Sequence, residues 1–444
     1  MRRRRFMLAA SALAAPFAGL PGCGGGGGSD NNPPAPVPPS DVVLTLPKDM
    51  YLHLGAPTEW WWHIGTLRAG NRTFGFEINA ASFAKDGLGF SQIMLSDVAT
   101  QSHYQRTAPF FPPFLYNPET WAESSPSKPW YARLGDADNV LSGIEVTEVG
   151  NGYATPPLVL VTGGGGIGAL AAAVVDGGRV TTILLVSPGI GYTSTPTVTL
   201  VGGGGSGASA KAYHSYVHMS AAASDPTKNM KVKALLVDQA TGKPITFDLT
   251  LSQQGRPFFV WGTGINPDGE GSTVQTRNYY FSLNRLAASG TIDIAGEKHS
   301  VSGVTWMDHE YGAFGTSANP VKWFLQDMQL DNGVCISNYA TLAQGQAPKL
   351  DVRTASQCTV QNAEGDIWFV DSFVTPIGST RTSESGTTYF LQFRVEIPSF
   401  NATLLVTSLV PNQAFNGVYE GVANARGTFQ FRDVSGTAWN EQAL

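Results

Sequence analysis

The sequence predicts an all-β chain with more than one domain, and three observations carry that expectation. The 444 residues include 51 Gly and 28 Pro, with 11% aromatic and only 14% charged side chains, a composition that favours strands and turns over long helices. Apolar residues alternate over short runs, as in Thr73-Phe74-Gly75-Phe76-Glu77-Ile78-Asn79, where Phe74, Phe76 and Ile78 share one face. Turn signals punctuate the runs, the clearest being Asp331-Asn332-Gly333 between 322–330 and 334–337. The length suggests two or three domains.

Residues 1–23 read as an export address. Arg2-Arg3-Arg4-Arg5 precedes an apolar run over 6–20 and then Leu20-Pro21-Gly22-Cys23. The small residue before a cysteine resembles a bacterial lipobox with Cys23 as the lipidated residue, and the paired arginines resemble a twin-arginine signal. A plain secretory signal cut elsewhere is the alternative. Either leads to an exported, periplasmic or cell-surface protein, with a membrane partner where Cys23 is lipidated. Residues 24–41 are a Gly- and Pro-rich tether with no apolar face. The formal charge is −6, and about −10 once the leader arginines are set aside, so a nucleic acid partner is not expected.

The folded part opens with Glu59-Trp60-Trp61-Trp62-His63. On a strand, Trp61 points with Glu59 and His63 while Trp60 and Trp62 point the other way. Both faces must then be covered, or one must line a pocket. Residues 68–72 form a hairpin turn into 73–79, and 90–98 is a third strand carrying Gln92. The aromatic, proline-rich stretch 110–130 reads as a loop packed by its own rings.

Between 140 and 212 the composition shifts to Gly, Val, Thr and Ala, and a repeat appears. Gly150, Tyr153, Pro157, Gly163 to Gly166 and Gly168 recur 39 residues later as Gly189, Tyr192, Pro196, Gly202 to Gly205 and Gly207. The glycine runs lack the Lys-Ser/Thr of a phosphate loop. The stretch is therefore expected to be an inserted β-module.

Strands resume at 213–220, with His214, Tyr216 and His218 on one face, and 231–251 forms a hairpin. No His-Glu-x-x-His accompanies these histidines, so no metal ligand set is expected. Residues 278–286 and 290–294 lead into Ser302-Gly303-Val304-Thr305-Trp306-Met307-Asp308-His309-Glu310-Tyr311-Gly312. In an extended chain Trp306, Asp308 and Glu310 share one face and Met307, His309 and Tyr311 the other. Two carboxyls beside an indole suit a barrel interior or a cleft. They also suit a structural network in which Asp308 caps backbone amides and Glu310 pairs with Arg277 or Arg285. Cys335 and Cys358 are open to both a disulfide and two buried thiols. No Gly-x-Ser-x-Gly marks a serine hydrolase.

Several of these motifs converge on one family. Glu59-Trp60-Trp61 with Gly65 and Leu67, Tyr279-Tyr280-Phe281-Ser282, the Ser302 to Gly312 stretch, the hairpin through Gly333 and Tyr419-Glu420-Gly421 resemble the carotenoid 1,2-hydratase/AttH family. The resemblance covers about 45–440 apart from the repeat. It implies two tandem calycin- or lipocalin-like barrels, one over 42–139 and 213–319 and the other over 320–444, interrupted by the 140–212 module. It also implies an apolar isoprenoid or lipid ligand, no cofactor, and acid-assisted hydration of a C=C bond. Asp308 matches the family's acidic motif, and Glu310 and His309 are the accompanying catalytic candidates. Glu59, Trp60, Trp61, Trp62, His63, Trp306, Tyr311 and Tyr280 are the candidate ligand-binding residues. A non-catalytic lipid-binding lipoprotein and a surface scaffold acting through the repeat are the alternatives.

Overall fold

A computed structural model describes residues 33–84, 88–110, 121–135, 140–222, 224–314, 322–342, 347–383, 386–415 and 417–444. The leader with Cys23 and residues 24–32 of the tether lie outside the described residues. So do residues 111–120 of the 110–130 stretch and Pro320.

The chain is built from strands. The first five are β1 (Thr58–Ala69), β2 (Arg72–Phe83), β3 (Leu88–Asp97), β4 (Ser102–Phe110) and β5 (Trp130–Leu134). Then come β6 (Gly143–Asn151), β7 (Leu158–Thr162), β8 (Ile167–Asp176), β9 (Arg179–Ile190), β10 (Thr197–Val201) and β11 (Ser206–Tyr213). They are followed by β12 (Tyr216–Ala221), β13 (Met230–Val237), β14 (Pro244–Gln253), β15 (Phe258–Phe259), β16 (Asn278–Ile294) and β17 (Glu297–Gly312). The last nine are β18 (Lys322–Leu330), β19 (Cys335–Leu342), β20 (Thr354–Gln361), β21 (Ile367–Thr382), β22 (Thr388–Ile397), β23 (Ala402–Ser408), β24 (Ala414–Phe415), β25 (Val418–Phe429) and β26 (Arg432–Ala443).

An 11-stranded sheet runs β4-β3-β2-β1-β17-β16-β14-β13-β12-β5, with β15 paired to β16. It curls so that β4 meets the β13–β14 turn, where Gln239 N donates to Gln105 O at 3.0 Å and Arg106 Nε to Val237 O at 2.7 Å. A 9-stranded sheet runs β23-β22-β21-β20-β19-β18-β26-β25-β24, and an added β23–β25 pairing closes it into a ring. Closure removes the unpaired edges that an open sheet would expose. In each barrel the last long strand returns to the first, β17 to β1 and β26 to β18.

Burial along the strands records what covers them. On β14, every second residue from Ile245 to Gln253 is buried and those between are more exposed, the pattern of a sheet with one wet face. From Phe74 to Phe83, β2 is buried on both faces, because the second barrel covers its outer side. Gly75 marks that contact: a Cβ there would lie 2.3 Å from Val422 Cβ on β25. An apolar layer including Ile64, Met94, Trp306, Val422 and Trp439 joins the barrels. Arg285 fastens their rims, donating to Asn362 O at 2.8 Å and to Gly333 O. Each barrel interior is filled by side chains, the first by residues such as Trp61, Phe76, Phe247 and Phe281, the second by Phe324, Phe390, Phe393 and Val406.

The repeat forms its own 6-stranded sheet, β10-β7-β8-β9-β6-β11. Its copies are interlocked. Thr193 N, in the second copy's Gly-Tyr turn, donates to Gly164 O at 2.9 Å, and Ala154 N in the first copy donates to Gly203 O at 2.9 Å. Gly164 and Gly203 adopt φ of 69° and 79°, and a Cβ on either would strike the tyrosine turn of the other copy. The glycine runs are thus the mating surfaces of the two halves.

One local expectation changes, and one choice left open is decided. His214 does not share a strand face with Tyr216 and His218, because β11 ends at Tyr213 and β12 begins at Tyr216; its Nδ1 instead donates to Val140 O at 2.8 Å. Cys335 and Cys358 are buried free thiols on neighbouring strands, where they face Gln361 and Asn338 rather than each other.

Candidate active site

Cross-strand pairing sorts the residues around β17 into two sets. On one side Trp60 lies opposite Glu310 and Trp62 opposite Asp308, while from β16 Tyr280 lies opposite Glu310 and Ser282 opposite Asp308. Directly opposite residues project from the same face. The other face carries Glu59 with Tyr311, Trp61 and Phe281 with His309, and His63 with Met307.

The first face lines a cavity of about 1120 Å³ between the two barrels. Its walls include Trp60, Trp62, Phe83, Trp261, Tyr280 and Phe314 from the first barrel and Trp323, Leu325, Tyr339 and Phe369 from the second. Five carboxyl residues line it: Asp308 and Glu310 from β17 and Glu441 from β26 among the aromatic rings, and Asp268 and Asp371 at exposed positions. The cavity therefore lies neither in the first barrel nor in the second, and of the two placements open to the Asp308–Glu310 face, a barrel interior or a cleft, it is the cleft. The interiors are already filled, and the outward faces of β1, β16 and β17 meet those of β18 to β21 and β26 across a gap.

Asp308 is fixed by two donors on one oxygen. Ser282 Oγ and Trp306 Nε1 both donate to Oδ1, at 2.6 and 2.7 Å. With Oδ1 saturated as an acceptor, a proton on this carboxyl belongs on Oδ2. Burial raises Asp308 to about 6 against the opposing pull of those two bonds and of the Tyr280 hydroxyl. Burial also raises Glu310, to about 8; Asn278 Nδ2 donates to it at 2.5 Å, and the charges of Asp308 and Glu441 push it further up. Glu441 is lifted by burial to about 7, while Trp323 Nε1, donating at 2.7 Å, acts the other way. The arrangement provides carboxyls that hold protons near neutral pH, surrounded by ring faces that stabilise positive charge.

The structure brings Asp308, Glu310, Trp60, Trp62 and Tyr280 to this space, and Trp306 supports Asp308 from the buried layer behind it. It does not bring the other candidates there. His309 points into the first barrel, stacked on Trp61 at 4.6 Å between ring centroids, because one residue along a strand reverses the side chain. Glu59, Trp61, His63 and Tyr311 lie on that same inner face. Trp61 and Tyr311 belong to the core, His63 is wholly buried, and Glu59 is bound to His53. Nor do the arginines pair with Glu310. Arg277 donates to Asn266 O and Gly269 O, Arg285 to Asn362 O and Gly333 O, and Asp308 takes side-chain donors instead of capping amides.

Sequence reasoning missed Glu441, Trp323 and Tyr339, all from the second barrel. A signal was present: Trp439-Asn440-Glu441 repeats the Trp-x-acid spacing of Trp306-Met307-Asp308, each on the strand that returns to its barrel's first strand. The hydrogen bonds do not repeat with it, since Trp439 Nε1 donates to Glu420 at 2.7 Å, leaving Glu441 to Trp323.

Comparison with known proteins fits this architecture. The chain is 27% identical to the dehydratase asqC of Emericella nidulans over 213 residues, 45% of this chain and 58% of that protein; the match thus spans less than two thirds of that relative. A candidate AttH from Nitrosomonas europaea superposes with a TM-score of 0.56 at 16% identity, covering 92% of this chain and 99% of that one. Kievitone hydratase from Nectria haematococca superposes with a TM-score of 0.53 at 15% identity, covering 93% and 96%. These solved structures share the fold, tandem lipocalin-like β-barrels. The AttH-like family profile matches residues 195–441, more than half of the sequence, and the chain belongs to the AttH-like family.

Proposed function

We propose that the protein is a hydro-lyase that adds water to, or removes it from, an apolar unsaturated small molecule bound between the barrels, with Asp308 as the general acid. One observation carries this reading: Ser282 and Trp306 occupy Oδ1 of a carboxyl that faces a cavity walled by aromatic rings. In hydration, Asp308 delivers its Oδ2 proton to one alkene carbon, and the π electrons form the new C–H bond, leaving a cation on the neighbouring carbon. Trp60, Trp62 and Tyr280 offer ring faces to that cation. Water adds to the cation and then surrenders a proton to a carboxylate, for which Glu441 stands on the opposite wall. Dehydration runs the same steps backwards. The dehydratase relative and the fold shared with a hydratase favour this class.

The finer reading is a substrate of isoprenoid or other lipid character, met by an exported protein anchored through Cys23. It rests on the apolar walls and on the leader sequence. To test the reaction, the purified protein is incubated with a panel of acyclic isoprenoid alkenes and their alcohols, and gain or loss of one water is followed by mass spectrometry. Turnover by the wild type that disappears in Asp308→Asn, with ligand still bound, supports the assignment. Full turnover in that variant rejects it.

A further inference from the structure

On the opposite face of the same strands lies a second polar cluster, which the proposed reaction does not use. His53, in the segment leading into β1, Glu59 on β1 and His309 on β17 each offer one ligand atom, and these atoms lie within 4.8 Å of one another. His309 and Glu59 are almost fully buried, and His53 is 17% exposed.

The hydrogen bonds fix the direction of the lone pairs. His309 Nδ1 lies 2.8 Å from Trp60 O. A carbonyl only accepts, so Nδ1 carries the hydrogen and a neutral ring presents a bare lone pair at Nε2. That nitrogen is buried and has no hydrogen bond among the described residues. It faces Glu59 Oε1 at 3.5 Å, one acceptor against another. Glu59 is itself held in place, with His53 N donating to both of its oxygens at 3.0 and 3.1 Å. His53 Nδ1 meets Oε1 at 2.9 Å, and His53 Nε2 lies 3.5 Å from Asp49 Oδ1. The His53 ring is stacked on Tyr311 at 3.5 Å and the His309 ring on Trp61, so neither can turn away freely.

We infer that His53 Nδ1, Glu59 Oε1 and His309 Nε2 form a binding site for a borderline divalent transition cation, zinc foremost, which clasps the chain before β1 to the first barrel. The chemistry matches a two-imidazole, one-carboxylate set. Ligand atoms around a tetrahedral zinc with bonds of about 2.1 Å stand about 3.4 Å apart, close to the present 3.5 Å between Nε2 and Oε1, while His53 Nδ1, now hydrogen-bonded to Oε1 at 2.9 Å, would give up its proton and draw back to ligate. The outer contacts are also those of a metal site: Nδ1–H of His309 on a backbone carbonyl, and Asp49 behind His53. His53 and Asp49 keep partial exposure and mark the side of entry. The site lies on the opposite face of β17 from Asp308, so its role is structural and the inference stands independently of the hydro-lyase reading.

The test uses the whole mature protein, freed of metal with chelator and then titrated with zinc alone by calorimetry, and with cobalt alone by visible absorption. One equivalent of tight zinc, a tetrahedral cobalt spectrum and a melting temperature raised by zinc are expected. His53→Gln, on the partly exposed side and outside the core, should weaken zinc binding at least tenfold and abolish the cobalt band, as should Glu59→Gln where it folds. Wild-type protein with no stoichiometric site, or His53→Gln with unchanged affinity and spectrum, overturns the inference and leaves a simple imidazole–carboxylate pair.

Discussion

The two faces of the β1–β17 pair carry nearly the same residue types and do different work. Toward the second barrel stand Trp60, Trp62, Asp308 and Glu310; toward the first barrel's interior stand Glu59, Trp61, His63 and His309. Both sets combine tryptophans with ionisable groups, and both are buried except for the half-buried Trp62. The difference is what lies opposite. The outer set meets a cavity, so its rings and acids are available to a ligand. The inner set meets packed side chains: Trp61 lies edge-on to Trp121 and Trp130 and donates to Met50 O at 3.2 Å. Residue type therefore does not distinguish a site from a core, and available space does.

The largest effect that would sharpen this contrast is on turnover. Asp308→Asn should lower kcat by about 10²–10⁴-fold, the usual worth of a general acid, while ligand affinity measured by fluorescence titration changes only slightly. On the inner face the loss should appear in stability instead. Trp61→Ala should reduce unfolding free energy by about 3–5 kcal/mol in denaturant titration, whereas Trp60→Ala, bordering the cavity, should cost less and weaken ligand binding more. Equal stability losses for the two tryptophans would break the comparison. A smaller effect is expected where the barrels touch: Gly75→Ala forces a methyl group into Val422 and should cost about 1–3 kcal/mol, with a weaker ligand affinity because the cavity walls shift.

The smallest effects concern pH, and the cavity and the inner face should respond with opposite sign. Glu441 has a folded pKa of about 7 against an ordinary 4.5, raised first by burial. The folded state then binds more protons than the unfolded state between these values, so this group's contribution to stability falls as pH rises from about 4.5 to 7. His63 is pulled by burial to about 3 from 6.5, so its contribution is present above 6.5 and is lost as pH falls toward 3. Relative to wild type, Glu441→Gln should gain melting temperature as pH rises through the first window, and His63→Leu should gain it as pH falls through the second. Parallel pH profiles for all three proteins would contradict the assignment.

Strand identity was legible because a half-buried or doubly covered strand writes its period of two directly into the sequence. The hairpin at Gly333, the repeat and its 39-residue offset, and the separation of Trp61 from Trp60 and Trp62 all follow from local chemistry. So did the position of Asp308 beside Trp306 on one face. Tertiary structure alone decided which of the two faces met a cavity, because that depends on what the second barrel places opposite. The same reason hid Glu441 and Trp323, whose strands reach Asp308 only across the seam, and it hid His53, which meets His309 by way of the barrel's closure. Alternation is a property of the backbone and is inherited by every strand. Vacancy belongs to the packing of two barrels, and no single stretch of sequence contains it.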